Sequence, residues 1–595
     1  MPFDNLALRI RRYSGHAQTT SDTRTTAICG IALCIPNTIL PAHTPFHRQI
    51  RKPPLNRISQ PIFALLFIAT LIRMLAMLLI PLVETTEPRY AEIARIMAET
   101  GDWITPWFDY GTPFWGKPPL SFWSQAAAIK ALGASEFAVR LPSLLATLAI
   151  CAFIFRIGIL LAGRTAAWFA VLIYFTSASG YLLSGAVLTD PFLTLATTLA
   201  LLSIIKMYRD PECAAVWRYT LFLALGIGLL AKGPIAVVLV GGPLGLWLVL
   251  DWRAGFRVIP WLTGVALMLL IALPWYIAAE LKTSGFLDYF IVGEHFKRFL
   301  DPGWNGDLYG SAHRYARGTI WWFATWATLP WGFIALALFF KRLLRSNSAN
   351  ISRQSNRSGE TVLLLLWTLW PLVFFTFAGN VLWTYVQPAL PPFAILLASV
   401  ITRLSPGRVT GLAYAALVLP IGTLVLTLAS GNANWGNDLK TEKSLVEYVA
   451  SHAPHSHRPP ALYYLGDLPF SARFYSHGHA RHIDGKQISA VIEESRNLPS
   501  YVAIPNRELA RPGMISTLNL SEPVFQNGRY SLFEFDRIDQ KIAWNGGASS
   551  ANESHESPRQ VSSSTRPPKS PGLRSGGKWL PSMVGLLPLL HTQGP

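Results

Sequence analysis

Two carboxylates, a guanidinium and a phenol crowd the end of an apolar run. LVETTEPRY places Glu84, Glu87, Arg89 and Tyr90 directly after residues 61–83, where Arg73 is the sole charge. A carboxylate can take a proton from an attacking hydroxyl. Arg and Lys bind phosphate, one as a bidentate fork and the other as a point charge. The same chemistry recurs downstream. Lys117 stands in FWGKPPLSFW between aromatic segments, Asp190 and Lys232 each interrupt apolar sequence, and EHFKRF carries Glu294, His295 and Arg298. Tyr385 follows in AGNVLWTY, and His313 precedes Trp321 and Trp322. Aromatic faces beside these groups suit a sugar ring. Each feature also has a plainer reading. Glu84 and Glu87 could simply favour a helix start, Arg95 and Glu99 a solvated helix face, and Trp103, Trp107 and Trp115 an interfacial belt. Asp190 and Lys232 could be no more than a structural ion pair.

The elements that must position these residues are set by composition. The chain has 595 residues, 51% hydrophobic and 14% charged, with a mean hydropathy of +0.32. Soluble domains carry about 25% charged residues, so an all-α polytopic membrane protein is expected. The net charge of +18 does not point to nucleic acid, because Lys and Arg gather in short loops between apolar runs and in both tails. That pattern sets membrane orientation. Cys29, Cys34, Cys151 and Cys213 form no disulfide framework.

Apolar runs of about 18 or more residues can cross a bilayer. Spans are expected at 61–83, 138–162, twice within 164–206 around Asp190, and twice within 219–252 around Lys232-Gly233-Pro234. Others fall at 259–279, 315–340, 361–378, 385–402 and 409–430. This makes about eleven transmembrane helices. The basic loops at 164, 206–218, 251–257, 341–357 and 403–408 share one side, the cytoplasmic one by the positive-inside rule. The loop 84–137, Asp190, Lys232, the polar loop 280–314 and Tyr385 then lie together on the other. EPRYAEIARIMAET, with Pro88 just inside its start, predicts an amphipathic helix lying on the membrane surface.

Four domains are expected: a disordered basic cytoplasmic lead-in at 1–58, the transmembrane catalytic domain at 59–430, a small extracytoplasmic α/β domain at 431–540, and a disordered Ser/Pro/Gly-rich tail at 541–595. Within the third, SLVEYVASHA and KQISAVIEESR read as helices and ALYYL, YVAIP and YSLFEF as strands. His452, His455, His457, His477, His479 and His482 cluster there without the spacing of a metal site. GLRSGGK in the tail lacks both the preceding strand and the Ser or Thr of a phosphate loop. No dinucleotide fingerprint or D-x-D motif is present, which weighs against a soluble nucleotide-sugar enzyme. No cofactor is expected; a divalent metal is left open and unsupported.

TEPRYAEIARIMAETGDW, FWGKPPLSFW, EFAVRLPS, LTDPFL, LLAKGP, LPWY, EHFKRF and TYVQPALPP, in this order, resemble the aminoarabinose-transferase-like branch of the GT-C glycosyltransferases. These are relatives of the dolichyl-phosphate-mannose protein mannosyltransferases. The resemblance covers about 60–430. It implies a multi-pass enzyme of the bacterial inner membrane, its active face periplasmic, using a polyprenyl-phosphate-linked sugar with inversion. The acceptor would be a lipid A-like lipid or, in the alternative, a protein Ser or Thr; a lipid-sugar flippase is the remaining reading. The partners are thus the donor, the acceptor and membrane lipids, with no nucleic acid. By resemblance, an acidic residue of the first loop is the base, and Lys117, Arg298 and Tyr385 contact the lipid phosphate. Arg89, Asp190 and Lys232, with Tyr90, Glu294 and His295, support them. The chain departs from the family pattern at Thr86, where Asp is usual, so Glu84 and Glu87 both stand for the base. Gly116 and Val381 replace a Glu and a Lys.

Overall fold

The computed structural model describes residues 56–210, 214–250, 259–310, 314–345, 359–404, 406–430, 439–452, 461–487, 500–510 and 522–535. The tail expectations, Cys29, Cys34, Cys213, His313, His455, His457 and most of the helix expected over KQISAVIEESR lie outside these residues.

The chain enters the bundle with α1 (Asn56–Leu79), then runs through α2 (Thr86–Thr100), the hairpin β1 (Trp107–Asp109) and β2 (Thr112–Pro113), and α3 (Leu120–Leu132). α4 (Glu136–Ala162), α5 (Arg164–Thr176), α6 (Ala178–Leu183), α7 (Asp190–Arg209), α8 (Ala214–Lys232), α9 (Ile235–Leu250) and α10 (Trp261–Lys282) follow. After a connecting segment come α11 (Thr319–Ala327), α12 (Trp331–Arg345), α13 (Gly359–Thr376), a 3-10 helix Trp383–Ala389 and α14 (Leu390–Ile401). Local signals fix these ends. The Ser135 hydroxyl caps α4 by accepting from the Ala138 N–H at 3.3 Å, as N-cap serines do. Gly101, with φ +70°, closes α2.

Among the described residues, eight helices are long and apolar enough to cross a membrane, or nine with the pair α11 and α12 taken as one broken span. The chain is a multi-pass membrane protein. Exposed Phe63, Leu262, Leu270, Phe333 and Val425 line the outside of the helices, a surface suited to lipid. Three of the eleven expected spans take another form. α5 has 13 residues and α9 has 16, both shorter than a bilayer needs. α11 and α12 meet at a 101° bend. From Ala166 to Thr176 α5 is almost wholly buried among other helices, so it need not face lipid along its length.

The C-terminal segment builds a five-stranded sheet from β3 (Ala461–Leu465), β4 (Ala480–Ile483), β5 (Ser500–Pro505), β6 (Phe525–Gln526) and β7 (Tyr530–Phe535). The order is β4-β3-β5-β7-β6, with β3 parallel to β4 and β5, and β7 antiparallel to β5 and β6. Central β5 is buried at every position, which is why YVAIP reads as a continuous apolar run rather than an alternating one.

This segment docks on the first loop. The Glu84 N–H donates to the Lys440 carbonyl at 2.8 Å, and the Leu82 N–H to the Tyr475 hydroxyl at 2.8 Å. Lys443 pairs with Glu136 and Arg473 with Asp109, each at 2.6 Å. The docking corrects one expectation. α2 does not carry a free polar face on the membrane surface: Glu92 and Arg95 are buried, bound in a two-pronged ion pair at 2.7 and 2.8 Å. Arg95 also reaches Glu99 at 2.5 Å, whose side chain stays half exposed. Pairing makes their burial tolerable.

Candidate active site

The loops gather at one end of the bundle around a cavity of about 680 Å³, open mouth included. Lys117, Lys232, Glu294, His295, Arg298, Asn380 and Tyr385 line it, with apolar Leu193, Ile235, Leu239, Phe299, Phe375 and Pro388.

Glu294 is the centre of charge. Its Oε2 lies 2.9 Å from Lys117 Nζ and its Oε1 2.7 Å from Arg298, which is also 3.4 Å from Asp307. A π-helix, Asp288–Lys297, carries Glu294 and His295; such wide turns are frequent at functional sites. Sequence reading took this stretch for plain loop. Burial pushes the Glu294 carboxyl up, but Lys117 and Arg298 outweigh it and hold the pKa down at about 2. Burial pulls the Lys117 ammonium down, yet Glu294 more than offsets this and it ends above the ordinary lysine value. Burial also lowers His295, against its hydrogen bond with the Phe290 carbonyl at 2.8 Å. It stays neutral near pH 7.

Asp190 opens α7 and Lys232 ends α8, and they pair at 2.7 Å. Lys232 Nζ also stands 4.6 Å from the centre of the Tyr385 ring, close enough for cation–π attraction. Gly233 makes this corner feasible. Its φ is +84°, and a Cβ there would lie 2.6 Å from Phe290 and 3.0 Å from His295. The His295 Nε2 contacts the Lys232 carbonyl at 3.3 Å.

The first loop contributes differently. Arg89 does not join Asp190 and Lys232; it donates to the Tyr309 carbonyl at 2.5 Å and faces the Tyr90 and Phe470 rings. Tyr90 packs edge-on against Phe114 and Phe122. Glu87 is engaged by Arg140 through two bonds, 2.8 and 2.7 Å, both partners buried. Arg140 also donates to the carbonyls of Met77, Ile80 and Pro81. Glu84 accepts from the Ser471 N–H at 2.5 Å. Burial raises its carboxyl above the usual range, opposed by the Ser471 bonds and by Arg529 and Arg89. Neither carboxylate lines the cavity of Lys117. Glu84 and Thr85 line a second cleft, formed with Phe470, Arg473, Arg507, Arg529 and Tyr530 of the C-terminal segment.

Sequence reading missed Arg140, Asp307 and Asn380. Arg140 stands in a motif already singled out, and only its pairing was hidden. Asp307 carries no local signal. No group of three or more potential metal ligands gathers among the described residues.

A family model described as dolichyl-phosphate-mannose-protein mannosyltransferase matches residues 60–290. An undecaprenyl phosphate-alpha-4-amino-4-deoxy-L-arabinose arabinosyl transferase of Pectobacterium carotovorum is 30% identical over 56% of this chain and 61% of its own length. Its counterpart from Aeromonas hydrophila is 30% identical over 54% of this chain and 56% of its own length. The matched region thus spans somewhat over half of these relatives. The crystal structure of ArnT from Cupriavidus metallidurans bound to undecaprenyl phosphate superposes with a TM-score of 0.67 at 17% identity, covering 81% of this chain and 99% of that one. The many-helix bundle with loops converging at one end and a C-terminal sheet resting on them is thus the fold of that structure. In sequence, the chain is similar to the aminoarabinose transferases and, over residues 60–290, to the protein mannosyltransferase family model.

Proposed function

We propose that this chain is a glycosyltransferase of the bacterial inner membrane. It moves a sugar from a polyprenyl phosphate to a hydroxyl of a lipid A-like acceptor on the periplasmic face, with inversion. The observation that carries the reading is the grouping of Lys117, Arg298 and Tyr385 around one cavity next to apolar walls. That combination fits a phosphate on a lipid tail. The gathering of Lys and Arg in alternate loops of the sequence supports the orientation.

In the reaction, the acceptor oxygen bonds to the anomeric carbon as the bond from that carbon to the phosphate oxygen breaks. Lys117 and Arg298 stabilise the charge gathering on the departing polyprenyl phosphate. Glu294 stays ionised and holds both cations in place. The acceptor proton passes to a carboxylate, and Glu84 suits this role better than Glu87. Both carboxylate oxygens of Glu87 are engaged by Arg140, which leaves it poorly placed to meet an acceptor hydroxyl. Glu84 faces the second cleft, where an acceptor would approach. Asp190 and Lys232 brace the cavity wall, and Arg89 and Tyr90 fix the first loop.

Mass spectrometry of membrane lipids tests this. Cells with the gene should contain a glycosylated lipid that is lost on deletion and on substitution Lys117→Ala. A lipid profile unchanged by deletion, or a new modification on protein Ser and Thr alone, would contradict the assigned acceptor.

A further inference from the structure

Asn380 lines the same cavity, is 5% exposed, and has no hydrogen-bond partner for either Nδ2 or Oδ1. Native proteins seldom bury a polar group without a partner. Nor is the amide loosely hung. The neighbouring Gly379 donates to the Phe299 carbonyl at 3.1 Å and accepts from the Tyr315 N–H at 3.4 Å. A Cβ on Gly379 would lie 2.5 Å from Pro302 Cγ, so only glycine lets the chain pass this close.

The unpaired atoms say what is missing. An amide offers N–H donors on one atom and an acceptor on the other. A phosphate oxygen only accepts and would leave Oδ1 unpaired; a sugar hydroxyl both donates and accepts. The charges around it narrow the choice. Glu294 is already bound by Lys117 and Arg298, and Asp190 by Lys232. Among the described lining residues no carboxylate is free to receive an ammonium. We propose that Asn380 reads a hydroxyl of the donor sugar, and that this cavity selects a sugar presenting a hydroxyl, not an ammonium, at that point. This rests on the polyprenyl-phosphate reading and separates the chain from relatives named for an amino sugar.

The test uses the full chain in lipid nanodiscs and three ligands: bare undecaprenyl phosphate, undecaprenyl-phosphate L-arabinose, and its 4-amino-4-deoxy counterpart. The wild type should prefer the hydroxyl form to the amino form. Asn380→Leu should weaken binding of undecaprenyl-phosphate L-arabinose roughly tenfold and leave bare undecaprenyl phosphate within about twofold. Asn380→Asp, the same shape with a charge, should shift the ratio of amino to hydroxyl affinity toward the amino form by roughly tenfold; a merely structural role would leave that ratio fixed. Equal weakening of bare and sugar-bearing lipid in Asn380→Leu, a fixed ratio in Asn380→Asp, or a wild-type preference for the amino form each overturns the proposal. Failure of the wild type to bind bare undecaprenyl phosphate overturns the phosphate reading, and this one with it.

Discussion

Lys117 and Arg298 are held by one carboxylate whose pKa of about 2 keeps it charged at any working pH. Removing either cation leaves Glu294 half neutralised and, on the proposed reaction, the leaving phosphate short of a donor. Lys117→Ala and Arg298→Ala should each lower transfer by about 10²-fold or more, with the protein still folded; single-turnover kinetics on detergent-solubilised protein reads this. The two glutamates of LVETTEPRY should separate by what they lose. Glu84→Gln keeps an acceptor for the Ser471 N–H, so thermal stability should hold while transfer falls by about 10²-fold. Glu87→Gln strands a buried Arg140, which costs about 3–5 kcal/mol and should lower the melting temperature. The opposite pattern would move the base to Glu87. The sequence exposed these residue types and their crowding, but not their partners. Thr86 removed the usual aspartate, and nothing in the local spacing showed Arg140 reaching Glu87 across 53 positions.

At the level of elements, the contact between the C-terminal sheet and the first loop carries a titratable group. Burial raises the carboxyl of Glu442 from 4.5 to about 7, against Arg529 and Asn527. It bonds Asn527 at 3.1 Å and pairs with Arg529 at 3.2 Å. A folded-state pKa above the unfolded one means the folded chain holds this proton more tightly. The associated stability is full below 4.5 and is lost as pH rises through about 7. Between pH 5 and pH 8 the wild type should therefore lose more thermal stability than Glu442→Gln; equal losses in scanning calorimetry would refute it. The strands ALYYL, YVAIP and YSLFEF were legible from apolar runs and turn residues. The burial of α2 was not, because its second face is covered by residues such as Gly478, almost 400 positions away, beside Arg95. The π-helix was equally hidden: it falls inside a long stretch between spans that reads as loop, and tertiary contacts such as His295 to Lys232 accompany its wide turn.

For the whole molecule, counting basic and apolar runs was enough to bring the first loop, Asp190, Lys232, Glu294 and Tyr385 to one end. It overstated the lengths of the spans around α5, α9 and the α11–α12 bend, since charge at run ends says nothing of breaks within. The inferred orientation is testable with single cysteines in a chain lacking its four native ones. A membrane-impermeant maleimide added to spheroplasts should label Ser284→Cys and spare Lys341→Cys; the reverse would invert the protein in the membrane. Binding of undecaprenyl phosphate to the purified chain bears most directly on the cavity as a lipid-phosphate site. The wild type and Glu84→Gln should bind saturably with similar Kd, and Arg298→Ala should bind roughly tenfold or more weakly. Equal affinity in wild type and Arg298→Ala would contradict it.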